Sequence, residues 1–273
     1  ISLGEQYQGQ IAENDDKDYY KFTLGSSGSV SLAATARMRT IYYAVYDSEG
    51  KEVWKKSYGW DSTSHTSSVE EKLDLTKGDY YFAAERYKNT YGSENCTGTY
   101  AFKLSFASAG ESHEETGNGT NNTMAAASQI ELDKEYKGQL ALNDDQDWYK
   151  FTLVESGRVQ MAVTAHIKGS VRYKITDAKG KEMWSKTPSV NEAGVSSVSE
   201  DLDLTGGDYY FVAPRSNSGT DYTGTYTFKL GFESAQESHK ETQESMNNTH
   251  ATAGEISLGE QYQGQIAEND DKD

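Results

Sequence analysis

An acidic loop occurs twice in the chain. Asn14, Asp15, Asp16 and Asp18 stand together near its start, and the same pattern returns at residues 143–147. Hard oxygen ligands grouped in one loop are what calcium requires. The same residues also suit a solvated turn before a strand, in which aspartate side chains accept hydrogen bonds from nearby backbone N–H groups. The loop by itself therefore favours either a calcium site or a polar turn.

The residues that catalysis needs are not grouped in the sequence. A hydrolase requires a nucleophile with a base, or a water molecule bound to a metal. No histidine pair has the HExxH spacing, and the repeated pairs Ser112-His113 and Ser238-His239 are sequence neighbours rather than a triad. Cys96 is the only cysteine, so no intrachain disulfide forms. We expect a protein that is not an enzyme.

Four aromatic residues are peculiar to the first half of the chain: Tyr58, Trp60, Tyr87 and Tyr91. Exposed aromatic rings in loops stack on sugar rings or hold extended peptides. Single exposed aromatic residues are also common on surfaces that bind nothing. The four residues are therefore candidate contacts for an extracellular protein or glycan, beside the simpler interpretation that they have no partner.

The chain repeats itself, and the repeats set the expected domain boundaries. Residues 1–18 recur letter for letter as residues 256–273, and residues 130–147 are a looser version of them. Repetition at long period indicates an array of domains that reaches, spaces or binds many times. We predict two complete domains, two acidic polar linkers and the start of a third domain. The two complete domains span residues 1–107 and 130–233. The linkers span residues 108–129 and 234–255, and the third domain starts with residues 256–273.

Apolar residues alternate with other residues along short segments. Tyr100, Phe102, Leu104 and Phe106 are separated by Ala, Lys and Ser, and similar segments are bounded by Gly, Ser, Asn and Asp. A period of two indicates strands with one buried face. About seven or eight such strands per repeat predict an all-β chain of tandem antiparallel β-sandwiches of the jelly-roll type.

Charge and composition narrow the expected function. The 273 residues include 43 acidic and 26 basic side chains, which gives a net charge of −17. Such a surface repels nucleic acids and anionic lipids, so neither is an expected partner. No stretch approaches the roughly 18 apolar residues of a membrane span. We expect an extracellular protein of the bacterial cell surface, of which this chain is a piece, because it starts inside a repeat and shows no signal peptide.

Several motifs occur in the same order in both repeats: GQxAxNDDxD followed by YKFTL, a DxxGKE turn, and GDYYF before TGTYxFKL. Their order resembles the bacterial pre-peptidase C-terminal domain family, which is similar to clostridial collagenase collagen-binding domains. The resemblance covers nearly the whole of each repeat. It implies a jelly-roll sandwich that serves as a non-catalytic module of a secreted or wall-associated protein.

The resemblance also implies a set of calcium ligands, and calcium is the one cofactor we expect. In calcium-binding relatives an Asn of the linker meets acids of the loop, and the matching positions here are Asn121, Asp145 and Asp147. Those relatives place two glutamates directly before the Asn pair, where this chain has Gly-Asn-Gly-Thr at residues 117–120. Glutamates further back, such as Glu115, would substitute for them only along a different backbone path.

Two functions fit these observations. The first is an adhesive or structural stalk, whose partners are neighbouring copies of the repeat joined end to end or by strand exchange. The second is a module that targets a secreted enzyme to a collagen-like protein or a polysaccharide. Residues 256–273 would start a domain with an unburied apolar face, so we expect them to pack on another copy.

Overall fold

The computed structural model describes residues 1–87, 96–117, 119–243 and 247–268. It divides into two compact units, and each is described by itself. The first comprises Ile1–Thr120 and Ala141–Asp144, and the second Asn121–Leu140 and Asp145–Asp273. Across the described ranges the regular structure consists of β-strands and two short 3₁₀ turns, so the predicted all-β fold is confirmed. No helix in these ranges is long and apolar enough to span a membrane.

The first unit is a sandwich of two four-stranded sheets. Its described residues form β1 (Gln6–Ile11), β2 (Lys17–Leu24), β3 (Gly28–Arg37), β4 (Thr40–Asp47), β5 (Glu52–Gly59), β6 (Ser67–Leu75), β7 (Gly78–Arg86) and β8 (Gly98–Ser108). The antiparallel sheets have the strand orders β1-β8-β3-β6 and β2-β7-β4-β5. The apolar core lies between them, where the rings of Phe82 and Phe102 are 4.4 Å apart.

The second unit repeats this plan with one added short strand. Its described residues form β9 (Ser128–Gln129), β10 (Glu135–Leu140), β11 (Gln146–Leu153), β12 (Gly157–His166), β13 (Tyr173–Asp177), β14 (Glu182–Lys186), β15 (Val195–Leu204), β16 (Gly207–Pro214) and β17 (Gly224–Ser234). The sheets have the orders β10-β17-β12-β15 and β14-β13-β16-β11-β9, and only β9 pairs parallel among the described strands. Phe211 and Phe228 meet in the core at 4.5 Å.

Alternation decides which residues enter the core. Along β3 the side chains of Val30, Leu32 and Ala34 are buried, whereas Ser31 and Thr35 between them are exposed. Burying a Val or Leu side chain contributes about 1.5–3 kcal/mol. A slip of one residue would turn the whole apolar row to solvent, so the pattern also fixes the strand register.

The DxxGKE motif forms the turn that its residues predict. The Asp47 carboxylate accepts hydrogen bonds from the N–H groups of Glu49 at 3.0 Å and Lys51 at 2.9 Å. Gly50 has a φ of 82°, in the left-handed region where glycine carries no steric penalty. Asp177 makes the same two contacts in the second unit, at 2.8 and 2.9 Å.

Candidate functional site

The loop that follows β10 packs in the first unit, although its sequence belongs to the second repeat. The N–H of Leu142 donates to the carbonyl of Asp74 at 2.8 Å, and the Leu142 side chain lies in the core of the first unit. The Asn143 carboxamide donates to the hydroxyls of Thr76 at 2.8 Å and Tyr80 at 3.0 Å. We call these contacts the loop anchor. They fix the acidic loop to the turn between β6 and β7.

Two buried carboxylates lie beside the loop anchor in the first unit. Glu115 and Asp144 are buried, and each offers a carboxylate oxygen within 4.8 Å of an oxygen of the other. The backbone of Glu115 is held in place, because its carbonyl accepts the N–H of Lys77 and the hydroxyl of Ser27, both at 3.2 Å. Two buried carboxylates so close together favour a shared proton or a bound cation.

In the second unit, two of the three predicted calcium ligands are buried. The carboxamide of Asn121 is buried, and neither of its polar atoms has a hydrogen-bond partner among the described residues. The Asn121 carbonyl accepts the N–H of Trp148 at 3.0 Å, directly after Asp147. Asp147 is buried as well and accepts the hydroxyl of Tyr226. A buried amide without a partner is costly, and coordination of a cation by its oxygen would offset that cost.

The third predicted ligand, Asp145, lies at the surface of the second unit. Its side chain is 87% exposed and pairs with the guanidinium of Arg215 at 3.1 Å. The first unit contains a similar pair, in which Arg86 contacts Glu13 at 2.9 Å. An arginine at the end of the penultimate strand thus holds the exposed part of the acidic loop in both units. This part of the loop has the contacts of a polar turn.

Glu115 is outside the set of three predicted ligands, although its position recurs in the second linker. A glutamate stands six residues before the linker asparagine in both linkers, as Glu115 with Asn121 and as Glu241 with Asn247. In the second unit Glu241 is buried, and its carboxylate accepts the N–H of Asn247 at 2.9 Å. The recurrence of both residues at one spacing points to a common role of the two linkers.

The second unit anchors the start of the third repeat through the matching backbone contact. The N–H of Glu268 donates to the carbonyl of Asp203 at 2.7 Å, and Asp203 corresponds to Asp74 of the first unit. Gln263 contacts Ser238 through both its N–H and its carbonyl, each at 2.9 Å. Each unit therefore contains an acceptor for the beginning of the next repeat.

The larger apolar side chains of this last segment face solvent, whereas Ala267 is buried. Ile256, Leu258 and Ile266 are exposed. In the identical residues near the start of the chain, Leu3 packs against the core and Ile11 is buried. The packing of this segment on another copy of the chain stays a prediction.

Tyr58, the first of the candidate aromatic residues, supports the core of the first unit. Its ring packs against Tyr43 with a centroid separation of 6.0 Å, and its hydroxyl donates to Glu71 at 2.5 Å. Burial and the neighbouring Glu71 raise the pKa of Tyr58 well above its usual value. The hydroxyl therefore stays protonated and structural.

The other aromatic candidates have separate environments. Trp60 stacks on the imidazole of His65 with a centroid separation of 4.6 Å. Tyr87 packs against Tyr42 of β4 at 5.2 Å. Tyr91 lies outside the described residues. Tyr87 is thus the candidate that packs on the outward-facing surface of the sheet β2-β7-β4-β5 in the first unit.

Comparisons with known proteins give structural similarities only. No family model and no curated protein matches the chain. A pre-peptidase C-terminal domain of collagenase from Bacillus anthracis is 19% identical over 40% of this chain and 99% of that one, with a TM-score of 0.33. A putative secreted protein from Eubacterium rectale is 10% identical over 84% of this chain and 74% of that one, at 0.27. The CBM22-1-CBM22-2 tandem of Paenibacillus barcinonensis Xyn10C is 8% identical over 84% and 86%, at 0.26.

Proposed function

We propose that the chain is a non-catalytic part of a repetitive bacterial surface protein, in which β-sandwiches follow one another as an adhesive or structural stalk outside the cell. One observation carries the proposal: each unit anchors the first residues of the repeat that comes after it. Leu142 is anchored on Asp74, and Glu268 on Asp203. The leucine and the glutamate share no side-chain chemistry, so the recurring element is the backbone hydrogen bond.

The linkers support the same proposal, because each is tied to the sandwich that it leaves. Thr116 forms a parallel β-bridge with Lys77 in the first unit, and Thr242 forms one with Gly206 in the second. A linker with such contacts has less freedom than a flexible tether of polar residues. Fixed linkers are what a stalk needs in order to project a distant end.

The stalk is tested by distances between spin labels on the exposed turns at Lys51 and Lys179, with Cys96 replaced by serine. We expect one narrow distance distribution by pulsed electron paramagnetic resonance. Asn143→Ala removes side-chain contacts of the loop anchor and should broaden the distribution. Asn14→Ala is the matched control, because Asn14 holds the same place in the first acidic loop and is exposed. A broad distribution in the unaltered chain would refute the stalk.

Calcium is the proposed cofactor of the acidic loop. Glu115 and Asp144 in the first unit, and Asn121 and Asp147 in the second, offer buried oxygen atoms of the kind that calcium binds. The ion would neutralise carboxylates that are costly to bury as charged groups. Because only the folded chain arranges these oxygens, calcium would stabilise the fold in proportion to its binding free energy.

Thermal unfolding of the whole chain with calcium or with a chelator tests this proposal. At a free calcium concentration of 100 times Kd, binding to the native state adds about 2.7 kcal/mol of stability. Asp144→Asn and Asp147→Asn should each remove the rise in melting temperature. Asp145→Asn is the matched control, since its carboxylate is exposed. The assignment would be wrong if the rise survived Asp144→Asn and disappeared with Asp145→Asn.

Targeting to a polysaccharide or a collagen-like protein is the second candidate function. It is favoured by one specific observation, a cluster of tyrosines on the outward-facing surface of the sheet β2-β7-β4-β5 in the first unit. Tyr19, Tyr42, Tyr46 and Tyr87 make up this cluster, and their rings pack in two pairs. Such a surface would add ligand binding to a stalk without any catalytic residue.

A further inference from the structure

The outer surface of the sheet β2-β7-β4-β5 has an unusual centre in the first unit. Ala44 of β4 and Ala83 of β7 are direct partners in the sheet, and neither belongs to the core between the sheets. Both are nevertheless fully buried. Larger side chains of the same surface must therefore cover them. We call the aromatic members of this cover, Tyr19, Tyr42, Tyr46 and Tyr87, the tyrosine face.

The tyrosine face consists of two ring pairs. Tyr19 meets Tyr46 edge to face with a centroid separation of 5.8 Å, and Tyr42 packs against Tyr87 at 5.2 Å. Tyr42 and Tyr46 are four residues apart on β4, which places them about 13 Å apart at roughly 3.3 Å per residue. Tyr19 remains 54% exposed. Part of Tyr19 is thus open to solvent, whereas Ala44 and Ala83 beside it are closed to solvent.

Charged side chains hold these rings in position. The buried Glu85 carboxylate contacts the ammonium groups of Lys17 at 2.8 Å and of Lys55, and it accepts the Tyr46 hydroxyl at 2.5 Å. Lys17 lies 5.1 Å from the ring centre of Tyr19 and 4.9 Å from that of Tyr46. These contacts are cation–π interactions, in which the ammonium group lies over one face of a ring and helps to fix its orientation.

The cluster keeps its charges at neutral pH. Burial raises the pKa of Glu85, but the hydrogen bonds from Lys17, Lys55 and Tyr46 outweigh it, so the pKa lies below its usual value. Burial together with Glu85 raises the pKa of Tyr46 to about 12. The two lysines therefore surround one carboxylate, and the surface carries little net charge in a chain whose total is −17.

The sheet does not need this cluster in order to form. At the equivalent pairing positions of the second unit, Lys174 replaces Ala44, Val212 replaces Ala83 and Pro214 replaces Glu85. Trp148 takes the place of Tyr19, and Thr176 that of Tyr46. The second unit keeps the strand order β14-β13-β16-β11 with a different aromatic pair, in which Trp148 meets Tyr210 edge to face at 6.0 Å. A purely structural role therefore leaves the tyrosine face of the first unit unexplained.

We propose that the tyrosine face of the first unit binds a neutral polysaccharide, with sugar rings stacked on the open tyrosine rings and sugar hydroxyls bonded to Lys55. Stacking needs flat aromatic surfaces, which this surface offers. A protein partner would need a pocket for an anchoring side chain, and the floor over Ala44 and Ala83 is closed. An acidic polysaccharide would be repelled by the net charge of the chain.

Affinity electrophoresis of the whole chain in native gels tests the proposal. The neutral probes are xyloglucan, galactomannan and β-1,3-glucan, with alginate as the anionic probe and gelatin as the protein probe. We expect retardation by at least one neutral polysaccharide. Tyr19→Ala and Tyr42→Ala should each weaken it by about tenfold, the effect of losing one stacked aromatic contact. Tyr19→Phe, which keeps the ring, should retain the affinity.

Lys21→Ala is the matched control, because Lys21 lies on the same strand and pairs with Asp79 at 2.7 Å. It should leave the retardation unchanged, and circular dichroism of each variant should show the native fold. The proposal is overturned if no neutral polysaccharide retards the chain, if only alginate or gelatin does, or if folded Tyr19→Ala binds as the unaltered chain does. Any of these results would leave the stalk proposal standing, since that rests on the loop anchor.

Discussion

In the first sandwich, tyrosine rings cover the centre of the outward-facing surface of the sheet β2-β7-β4-β5. The second sandwich has other side chains at the equivalent positions. Ala44 and Ala83 form the floor in the first unit, and Lys174 and Val212 are paired at that place in the second. The small side chains of Ala44 and Ala83 leave room for large neighbouring side chains to lie over them, whereas Lys174 and Val212 fill that space themselves. The outward-facing side chains of this sheet therefore differ between the units while the fold is kept.

The interiors of the two sandwiches agree closely. Phe82 and Phe102 have ring centres 4.4 Å apart in the first core, and Phe211 and Phe228 are 4.5 Å apart in the second. The core tolerates little change, because a lost side chain leaves a cavity that its neighbours fill only in part. The two sandwiches thus share a core and differ in their outer surfaces. This is the pattern expected of repeated domains of which one, here the first, has acquired a specialised surface.

The largest predicted effect concerns the shared cores. Phe82→Ala and Phe211→Ala should each reduce the free energy of unfolding of their own sandwich by about 3–5 kcal/mol, since both rings are fully buried. Urea unfolding of the two variants measures the losses. Losses that differ by more than about 2 kcal/mol would show that the two cores are less alike than their geometry indicates.

The next largest predicted effect on stability distinguishes the sheet β2-β7-β4-β5 from its equivalent in the second unit. Glu85→Gln leaves Lys17 and Lys55 without their carboxylate, so we expect a loss of about 1–3 kcal/mol. Pro214 stands in place of Glu85 in the second unit, so the comparison there is Asp208→Asn, which breaks the more exposed pair with Lys150 in the equivalent sheet and should cost less than about 1 kcal/mol. Equal losses from the two substitutions would remove the distinction between the sheets.

The Glu85 contribution should also depend on pH in a defined direction. Because the folded pKa of Glu85 lies below the usual 4.5, its contribution is complete above that value and is lost as the pH falls through the folded pKa. The stability difference between the unaltered chain and Glu85→Gln should therefore shrink below about pH 4.5. A difference that grew on acidification would have the wrong sign.

The smallest effect concerns the shared turn. Asp47→Ala and Asp177→Ala each remove a carboxylate that accepts two backbone hydrogen bonds. We expect each to cost about 0.5–1.5 kcal/mol, because the turns are exposed and water takes over part of the bonding. Thermal unfolding resolves a loss of this size. A neutral result in one unit alone would mean that the two turns are not equivalent.

Local features were predictable from the sequence, and features that join distant segments were not. Alternation correctly placed Tyr100, Phe102 and Leu104 in the core, because a strand turns every second side chain to one side. The glycine of the DxxGKE turn, Gly50, has the positive φ that such a turn requires. Both follow from a few neighbouring residues.

The candidate sites depend on strand pairing and loop closure. Glu115 and Asp144 approach each other only because the acidic loop folds back onto the turn between β6 and β7. Tyr19 reaches Tyr46 only because β7 lies between β2 and β4 in the sheet. The sequence could propose an acidic loop and a set of aromatic residues, but their neighbours follow from the register of the strands.

Amide hydrogen exchange at Leu142 and Glu268 is the most direct test of the stalk. Both N–H groups donate to a carbonyl of the sandwich before them, at 2.8 and 2.7 Å. We predict that both exchange far more slowly than the amide of Asn14, which occupies the exposed first copy of the same loop. Exchange of both amides at the rate of Asn14 would contradict the claim that each sandwich anchors the start of the next repeat.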